Sequence, residues 1–366
     1  MQRLISIDIL KLFAMFLVIW GHCAQFLLTS DYLDEPAYLY IYSFHMPLFM
    51  MISGMFVHHE LGAGSSYLSH LRCSLPEYGR LLLVRARQLL LPCVAWGVLM
   101  SLGNLIQPLI NGTHIDKSLL STFYTNFWFL KALFLCFALW YTSQLLLRRR
   151  WLVFVVSIVV SQFITEWTTQ WMYPSFALGA YLGSHMDALR ANRKRIALVC
   201  LTLGGLLLIG WGKQHFLIPS VYRYAELSTP ELLHAIGMRL YRYMVNFTLS
   251  LGFIALFLGI DHRLSTLNSK LSTSFNFQLS TFNYLAKFGQ MTLGIYIIHS
   301  LIIIVRERFA PGLLCCDALN PWLFNIVIAP LLSVVLLLVS ADLTELIRRL
   351  PHLSFFLLGT PWPKRQ

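Results

Sequence analysis

The sequence predicts an all-α integral membrane protein with about ten transmembrane helices, forming one bundle with a central cavity. Of its 366 residues, 57% are apolar and 12% are charged, and the mean hydropathy is +0.65. Soluble domains contain roughly 45–50% apolar and about 25% charged residues. Apolar stretches of the roughly 20 residues that cross a bilayer recur from end to end. These observations exclude a soluble globular domain and a disordered chain.

The predicted spans follow one another along the whole chain. They lie near 4–28, 38–58, 88–109, 123–147, 151–165, 171–186, 195–212, 233–260, 288–305 and 321–347. We treat residues 1–350 as one transmembrane domain. Within it, the polar, repetitive segment 264–284 is expected to be a flexible cytoplasmic linker, and residues 351–366 a cytoplasmic tail.

The distribution of charge predicts the orientation of the chain, whose formal net charge is +12. If the N-terminus is cytoplasmic, every second loop is basic, while the first outer loop carries Asp34 and Glu35. This alternation is the positive-inside pattern, and ten spans with both termini inside satisfy it. We therefore expect a multi-pass protein of the inner (plasma) membrane. Nucleic-acid binding is not expected, because no basic face interleaves with exposed aromatic residues.

The first span carries Asp8, Lys11 and His22, which share one helical stripe. Asp8 and Lys11 are neighbours at i, i+3. Eleven residues turn a helix by three full turns plus about 20°, so His22 lies above Lys11 at a rise of about 16 Å. Charges within a bilayer are functional candidates by default. The alternative is a satisfied Asp–Lys ion pair with a structural histidine.

The second span contains FHMPLFMMISG at 44–54. Pro47 lacks a backbone donor, and its ring disturbs the carbonyl of Ser43, so the helix is expected to break there. Such breaks at membrane depth are tolerated where they line a cavity or are buried in protein. His45 and Ser53 are the polar candidates of this span, and a packing kink is the alternative.

Two later spans add further polar faces. Arg239 and Arg242 lie one turn apart in the eighth span, where they would bind an anion or would instead extend outward to the interface. In the ninth span, Tyr296 and His299 share a face at i, i+3. His299 falls in the outer half, like the histidines of the first two spans, which predicts one shared site. We expect no metal, because no carboxylate or thiolate accompanies the histidines at ligand spacing.

Several of these motifs together resemble one family. RLISIDILKLFAMFLVIWGH at 3–22 and FHMPLFMMISG at 44–54 are similar to the start of the membrane-bound acyltransferase 3 family. LLLPCVAWG at 89–97, NFWFLKALF at 126–134 and TLGIYIIHS at 292–300 are similar to later parts of it. The paired first two motifs are the most specific.

The resemblance implies a reaction and a catalytic set. Members typically carry an Asp, an Arg three residues later and a His eleven residues beyond that Arg, and these positions are Asp8, Lys11 and His22 here. Lysine keeps the charge of the arginine but loses its bidentate fork. The implied activity is transfer of an acyl group, usually acetyl, from cytoplasmic acyl-CoA to a hydroxyl of a cell-envelope or exported glycan. His22 would be the essential residue, and acyl-CoA a co-substrate with no bound cofactor.

The chemistry of the residues fits this reaction. A neutral histidine suits removal of a proton from an attacking hydroxyl at neutral pH, so His22 would be the catalytic base. The expected partners are acyl-CoA, a glycan or lipid-linked saccharide and the bilayer. Binding of donor or acceptor is assigned to His45, Ser53, Arg85, Arg87, Trp128, Arg239, Arg242, Tyr296 and His299. Among these, Arg85 and Arg87 lie at the predicted inner mouth, where they would hold the donor phosphates.

Two other functions remain open at this stage. Polar groups at mid-depth and a proline-broken helix are also features of transporters, so a transporter or flippase of an envelope precursor is the main alternative. Such proteins usually contain two related halves, and no internal symmetry of that kind is visible. A non-catalytic relative acting as a scaffold is the other possibility, against which the retained His22 and FHMPLF segment argue.

Overall fold

The computed structural model describes residues 4–28, 32–57, 67–111, 126–147, 149–268, 273–309 and 320–362. Over these ranges the chain forms helices and turns and contains no β-strand, which confirms the all-α prediction. The chain folds into two compact units. The first comprises Met1–His58 with Pro174–Thr344, and the second comprises His59–Tyr173 with Glu345–Gln366.

Helices of very different length make up both units. In chain order they are α1 (Ile5–Phe26), α2 (Pro36–Tyr42), α3 (His45–Met55), α4 (Tyr67–Asn111), α5 (Trp128–Leu146), α6 (Arg150–Ser161), α7 (Thr169–Gly183), α8 (Met186–Ala191), α9 (Arg193–Leu208), α10 (Thr229–Asn268), α11 (Thr273–Gly289), α12 (Thr292–Phe309), α13 (Ala329–Arg348) and α14 (Pro351–Leu358). Helices α4, α5, α6 and α14 belong to the second unit. The others lie wholly or mostly in the first.

Within the described ranges, five helical segments are long and apolar enough to cross a membrane. They are Ile5–Phe26, Ser74–Leu102, Trp128–Leu146, Thr229–Asp261 and Phe324–Arg348. Helices α11 and α12 meet at a bend of 60° and would form a sixth span together. The predicted spans near 38–58, 151–165, 171–186 and 195–212 correspond to shorter helices. The arrangement of about ten spans in one bundle with a central cavity therefore stays a prediction.

The second predicted span is broken where its proline requires. Helix α2 ends at Tyr42, and α3 begins at His45 after Phe44, whose φ of −143° and ψ of −21° are not helical. Pro47 then lies in the first turn of α3, where the missing N–H would have no partner within the helix. The break places His45 at the start of a helix whose residues are almost all buried.

Helices α3 and α7 pack through glycines. A Cβ atom built on Gly179 would lie 2.0 Å from the carbonyl oxygen of Met51, and one on Gly183 would lie 2.3 Å from that of Met55. From the other helix, a Cβ on Gly54 would lie 2.0 Å from the carbonyl oxygen of Phe176. Lipid does not drive helices together by the hydrophobic effect, so close backbone approach of this kind is how membrane helices gain packing energy.

Helix α1 is fixed at its N-terminal end by two neighbours. The backbone N–H and the hydroxyl of Ser6 both donate to the carboxylate of Asp261 on α10, with the N–H contact at 3.1 Å. This carboxylate replaces the missing side-chain cap of α1 and complements the positive end of its dipole. A Cβ on Gly289 of α11 would lie 1.8 Å from the carbonyl oxygen of Asp8, so α11 also approaches α1 at backbone distance.

The segment 264–284, expected from the sequence to be a flexible linker, is helical where the structure describes it. Helix α10 continues to Asn268 and α11 begins at Thr273, while residues 269–272 lie outside the described ranges. The physical reason is visible in α11. Phe282, Leu285 and Ala286 recur at helical spacing and turn away from solvent, while Asn283 and Lys287 are exposed. The polar composition of the segment masks this periodicity.

In the second unit, α14 packs on α4. The indole N–H of Trp96 donates to the carbonyl oxygen of Leu357 at 3.1 Å. Gly359 ends α14 in the left-handed region, with φ of 63°, and a Cβ there would lie 2.6 Å from the carbonyl oxygen of Arg87. The residues predicted as a cytoplasmic tail thus begin with a packed helix.

The glycine contact between α3 and α7 gives a stability prediction. Gly179→Ala should lower stability by about 1–3 kcal/mol, because the new methyl group meets backbone that cannot move aside cheaply. Gly205→Ala in α9 is the matched control, because nothing lies within 4 Å of its Cβ position and the helix should tolerate or favour alanine. Thermal unfolding in detergent measures both variants. Equal melting temperatures for the two would contradict the packing argument.

Candidate functional site

Histidines from α1 and α12 meet in the first unit. Nδ1 of His22 lies 3.0 Å from Nε2 of His299, and the two rings are nearly parallel with centroids 5.1 Å apart. His299 is fully buried, whereas His22 is only half-buried. His45, at the start of α3, is buried and close enough to interact electrostatically with His22. The structure therefore brings together the three histidines that the sequence places at similar depth.

Backbone carbonyls fix the proton positions of two of these rings. Nδ1 of His299 lies 2.7 Å from the carbonyl oxygen of Ile295, and Nδ1 of His45 lies 2.7 Å from that of Ile41. A carbonyl oxygen only accepts, so each Nδ1 carries the proton and donates it. In a neutral His299, Nε2 then holds a lone pair and accepts the Nδ1–H of His22. His22 is left with its own lone pair on Nε2, for which no described residue provides a hydrogen-bond partner.

Tyrosines surround the histidines. The ring of Tyr296 meets His299 edge-on at 5.8 Å, and that of Tyr42 meets His45 edge-on at 4.5 Å. Tyr38 stacks on Tyr42 at 3.9 Å, and the hydroxyl of Tyr42 donates to Oε1 of Gln25 at 3.1 Å. The aromatic rings thus restrict the motion of the imidazoles on the sides that face α2 and α12.

Gly21 lets α2 approach the histidine on α1. A Cβ atom on Gly21 would lie 2.5 Å from Cε2 of Tyr42, inside any normal contact distance. The ring of Tyr42 therefore occupies the space that any other residue at position 21 would fill. Since His22 is the next residue, the position of its backbone depends on this contact.

The ion pair at the N-terminal end of α1 is present but is not isolated from solvent. Nζ of Lys11 lies 3.6 Å from Oδ1 of Asp8, with 30% of the lysine side chain and 9% of the aspartate side chain exposed. The ammonium also lies 5.4 Å from the centre of the Phe56 ring. Ser53, on the last turn of α3, is half-buried. About 16 Å of helix separates Lys11 from His22, so the ion pair does not touch the histidines.

The two arginines of α10 bind the loop that precedes the helix. Arg239 is buried and donates to the hydroxyl of Tyr224 and to the carbonyl oxygen of Pro219, both at 2.9 Å. Arg242 donates to the carbonyl oxygen of His215 at 2.9 Å. Both arginines therefore hold segment 215–224 against α10.

The remaining predicted residues lie in the second unit. The guanidinium of Arg85 lies 4.1 Å from the centre of the Phe137 ring, and its Nη1 donates to Gln88 at 3.0 Å. Nε of Arg87 is buried without a hydrogen-bond partner among the described residues. Trp128 is half-buried at the start of α5. No group of three or more His, Cys, Asp or Glu side chains suited to a metal ion occurs in the described ranges.

One buried polar contact was not predicted from the sequence. The side-chain amide of Asn325 donates to the buried carboxylate of Glu35, and its backbone carbonyl accepts from the indole N–H of Trp20 at 3.0 Å. Asn325 lies in a π-helical turn, Phe324–Ile328, and such turns are frequent at functional sites. The signal in the sequence is Pro330, which cannot donate to the carbonyl of Ile326 and so disturbs the helix there.

The chain was compared with known proteins. It matches the model of the acyltransferase 3 family, described as an acyltransferase domain, over residues 4–345. It is 29% identical over 229 residues to the nodulation protein NolL of Mesorhizobium japonicum, covering 59% of this chain and 58% of that protein. For NolL of Sinorhizobium fredii the identity is 24% over 230 residues, covering 59% of each. The chain therefore spans about three fifths of the length of these relatives. No solved structure matches it.

The contact at Gly21 predicts coupling between α1 and α2. Gly21→Ala should destabilise the protein by about 1–3 kcal/mol, because the methyl group displaces the Tyr42 ring. Tyr42→Leu removes that ring, so the double variant should recover part of the loss caused by Gly21→Ala. Thermal unfolding of the two single variants and the double variant measures the coupling. Strictly additive losses would show that the ring does not limit position 21.

Proposed function

Because the chain belongs to the acyltransferase 3 family, we propose that it is an integral membrane O-acyltransferase. It moves an acyl group, acetyl being the first candidate, from cytoplasmic acyl-CoA to a hydroxyl of a cell-envelope or exported glycan. The observation that carries the proposal is the contact of 3.0 Å between Nδ1 of His22 and Nε2 of His299. This contact leaves the Nε2 lone pair of a half-buried imidazole available to a substrate proton.

The proposed reaction needs one base and one path for its proton. Nε2 of His22 removes the proton of the acceptor hydroxyl as its oxygen attacks the carbonyl carbon of the thioester. A C–O bond forms, the C–S bond breaks, and the proton on Nε2 passes to the departing thiolate of CoA. The acyl ester and free CoA are the products, and His22 returns to its neutral form. Direct attack is simpler than an acyl-histidine intermediate and requires no second transfer.

His299 acts as a positioning residue in this scheme. When His22 becomes an imidazolium, its Nδ1–H donates to Nε2 of His299, and the hydrogen bond becomes charge-assisted. The carbonyl of Ile295 holds the proton of His299 on Nδ1, at 2.7 Å, so that His299 can only accept at Nε2. The pair therefore favours the transition state over the neutral ground state, as catalysis requires.

The donor would enter from the cytoplasmic side. The positive-inside pattern supports an orientation in which both termini and the Lys11 end of α1 face the cytoplasm. Asp8 would hold Lys11 in place, and Lys11 would attract an anionic group of the donor. Arg85 and Arg87, on α4, are the proposed ligands for its phosphates. The acyl-bearing arm would follow the α1 stripe toward His22. The protein itself would lie in the inner membrane and cross it with about ten spans.

Formation of an acylated product distinguishes an acyltransferase from a transporter. The broken helix between α2 and α3, with His45 at the break, is also typical of transporters. A transporter or flippase would move a substrate without forming an acyl ester. Purified protein supplied with labelled acetyl-CoA and a candidate glycan acceptor should transfer label to the acceptor.

The two histidines should differ in how much activity they carry. His22→Ala should lower kcat by about 10²–10⁴-fold, the contribution of a general base. His299→Ala should lower kcat by about 10–100-fold, because it removes one charge-assisted hydrogen bond of roughly 1.5–3 kcal/mol. Transfer of labelled acetyl measures both, with unfolding temperature and acetyl-CoA binding as checks that the variants stay folded. Full turnover by His22→Ala would rule out the proposed base.

The arginines on α4 should affect the donor and not the chemical step. Arg85→Gln with Arg87→Gln should raise the KM for acetyl-CoA by about tenfold or more with little change in kcat, because the phosphates lose their cationic partners. Arg190→Gln in α8 is the control, since this arginine pairs with exposed Asp187 at 3.8 Å. An unchanged KM in the double variant would remove both arginines from the donor site.

A further inference from the structure

An unusual cluster lies at the start of α5 in the second unit. Lys131 is only 7% exposed, although a lysine at membrane depth is costly to bury. Its Nζ lies 5.4 Å from the centre of the Trp167 ring, which belongs to the short helical segment Glu166–Thr168 between α6 and α7. Cys93 of α4 is close enough to interact electrostatically with the same ammonium. Three separate elements of one unit therefore converge on a single cation.

The backbone on both sides of this cation is strained. In the described ranges, positive φ occurs at three residues other than glycine: Phe127 with 55°, Trp167 with 46° and Thr168 with 59°. Side chains of this size rarely adopt the left-handed region, and such strain concentrates at functional sites. Phe127 precedes the helix that carries Lys131, and Trp167 supplies the ring. Strained residues thus lie next to, or at, both elements that supply the cation–π contact.

Helix stability does not explain the lysine. Lys131 stands in the first turn or so of α5, where the helix dipole disfavours a positive charge. An apolar residue at this position would pack against Trp167 without that penalty. The lysine therefore gains nothing from the helix dipole, and its charge suits an anionic ligand.

We propose that Lys131 and Trp167 form a binding site for a sugar that carries a carboxylate or a phosphate. The ammonium would pair with the anionic group, and the half-buried indole would contact the apolar face of the sugar ring. In the proposed topology this end of α5 faces outward, where a glycan acceptor is presented. The inference rests on the proposed function for the role of this sugar as acceptor, and it narrows the acceptor to an anionic glycan.

Binding can be tested without turnover. Saturation-transfer difference NMR on the detergent-solubilised full chain would compare glucuronate, glucose 1-phosphate and glucose as probes. At least one anionic sugar should bind and glucose should not, and the stronger of the two identifies carboxylate or phosphate as the preferred group. Binding of glucose comparable to that of the anionic sugars, or no binding of either anionic sugar, would overturn the proposal.

Variants assign the binding to the cluster. Lys131→Met should weaken binding of the anionic probe by about tenfold or more. Lys131→Arg should keep most of the binding, because it keeps the charge. Glu166→Gln is the matched control, because this exposed neighbour carries the opposite charge and its loss should leave binding equal or stronger. If Lys131→Met does not fold, Trp167→Leu takes its place with the same expectation. Wild-type affinity in the folded variant would overturn the proposal. No acyl donor is present, so this failure would leave the proposed acyl transfer standing.

Discussion

A neutral histidine carries its proton on one of its two ring nitrogens, and hydrogen bonds determine which one it is. This choice determines which nitrogen of His22 can act as a base. The choice begins with the carbonyl of Ile295, which can only accept and so holds the proton of His299 on Nδ1. His299 must then accept at Nε2, and His22 must donate from Nδ1. The lone pair on Nε2 of His22 is the result. One backbone carbonyl of α12 therefore sets the chemical state of a residue on α1.

That arrangement requires helices that keep fixed positions relative to one another. The surrounding lipid, however, does not drive them to associate. Hydrocarbon surrounds apolar side chains equally well whether helices touch or separate, so close packing must supply the attraction. Glycines provide it at Gly21 against α2, at Gly289 against α1, and between α3 and α7. The carboxylate of Asp261 adds an electrostatic anchor for the first turn of α1. Small residues and one cross-helix cap thus hold the imidazole pair in register.

Charged residues in the first unit have different tasks, which their residue type does not reveal. Lys11 and Asp8 pair with each other near the end of α1, where the lysine keeps contact with solvent. Arg239 and Arg242 use their donors on a hydroxyl and on loop carbonyls. An arginine suits an anion and a set of carbonyl oxygens equally well, because both offer acceptors to its fork. The assignment of these two arginines to substrate binding stays a prediction.

The sequence by itself determined the all-helical membrane class, the break before Pro47 and the family, because composition, proline chemistry and local motifs act over a few residues. It also placed His22, His45 and His299 at one depth, since a helix has a fixed rise per residue. It did not indicate the helices within segment 264–284, where serine and threonine mask the helical periodicity. Nor did it indicate the hydrogen bond between Glu35 and Asn325. Only the tertiary structure decided that Nδ1 of His22 faces Nε2 of His299. Pairing of this kind depends on the rotation and approach of helices that are distant in sequence, and these follow from packing between whole helices.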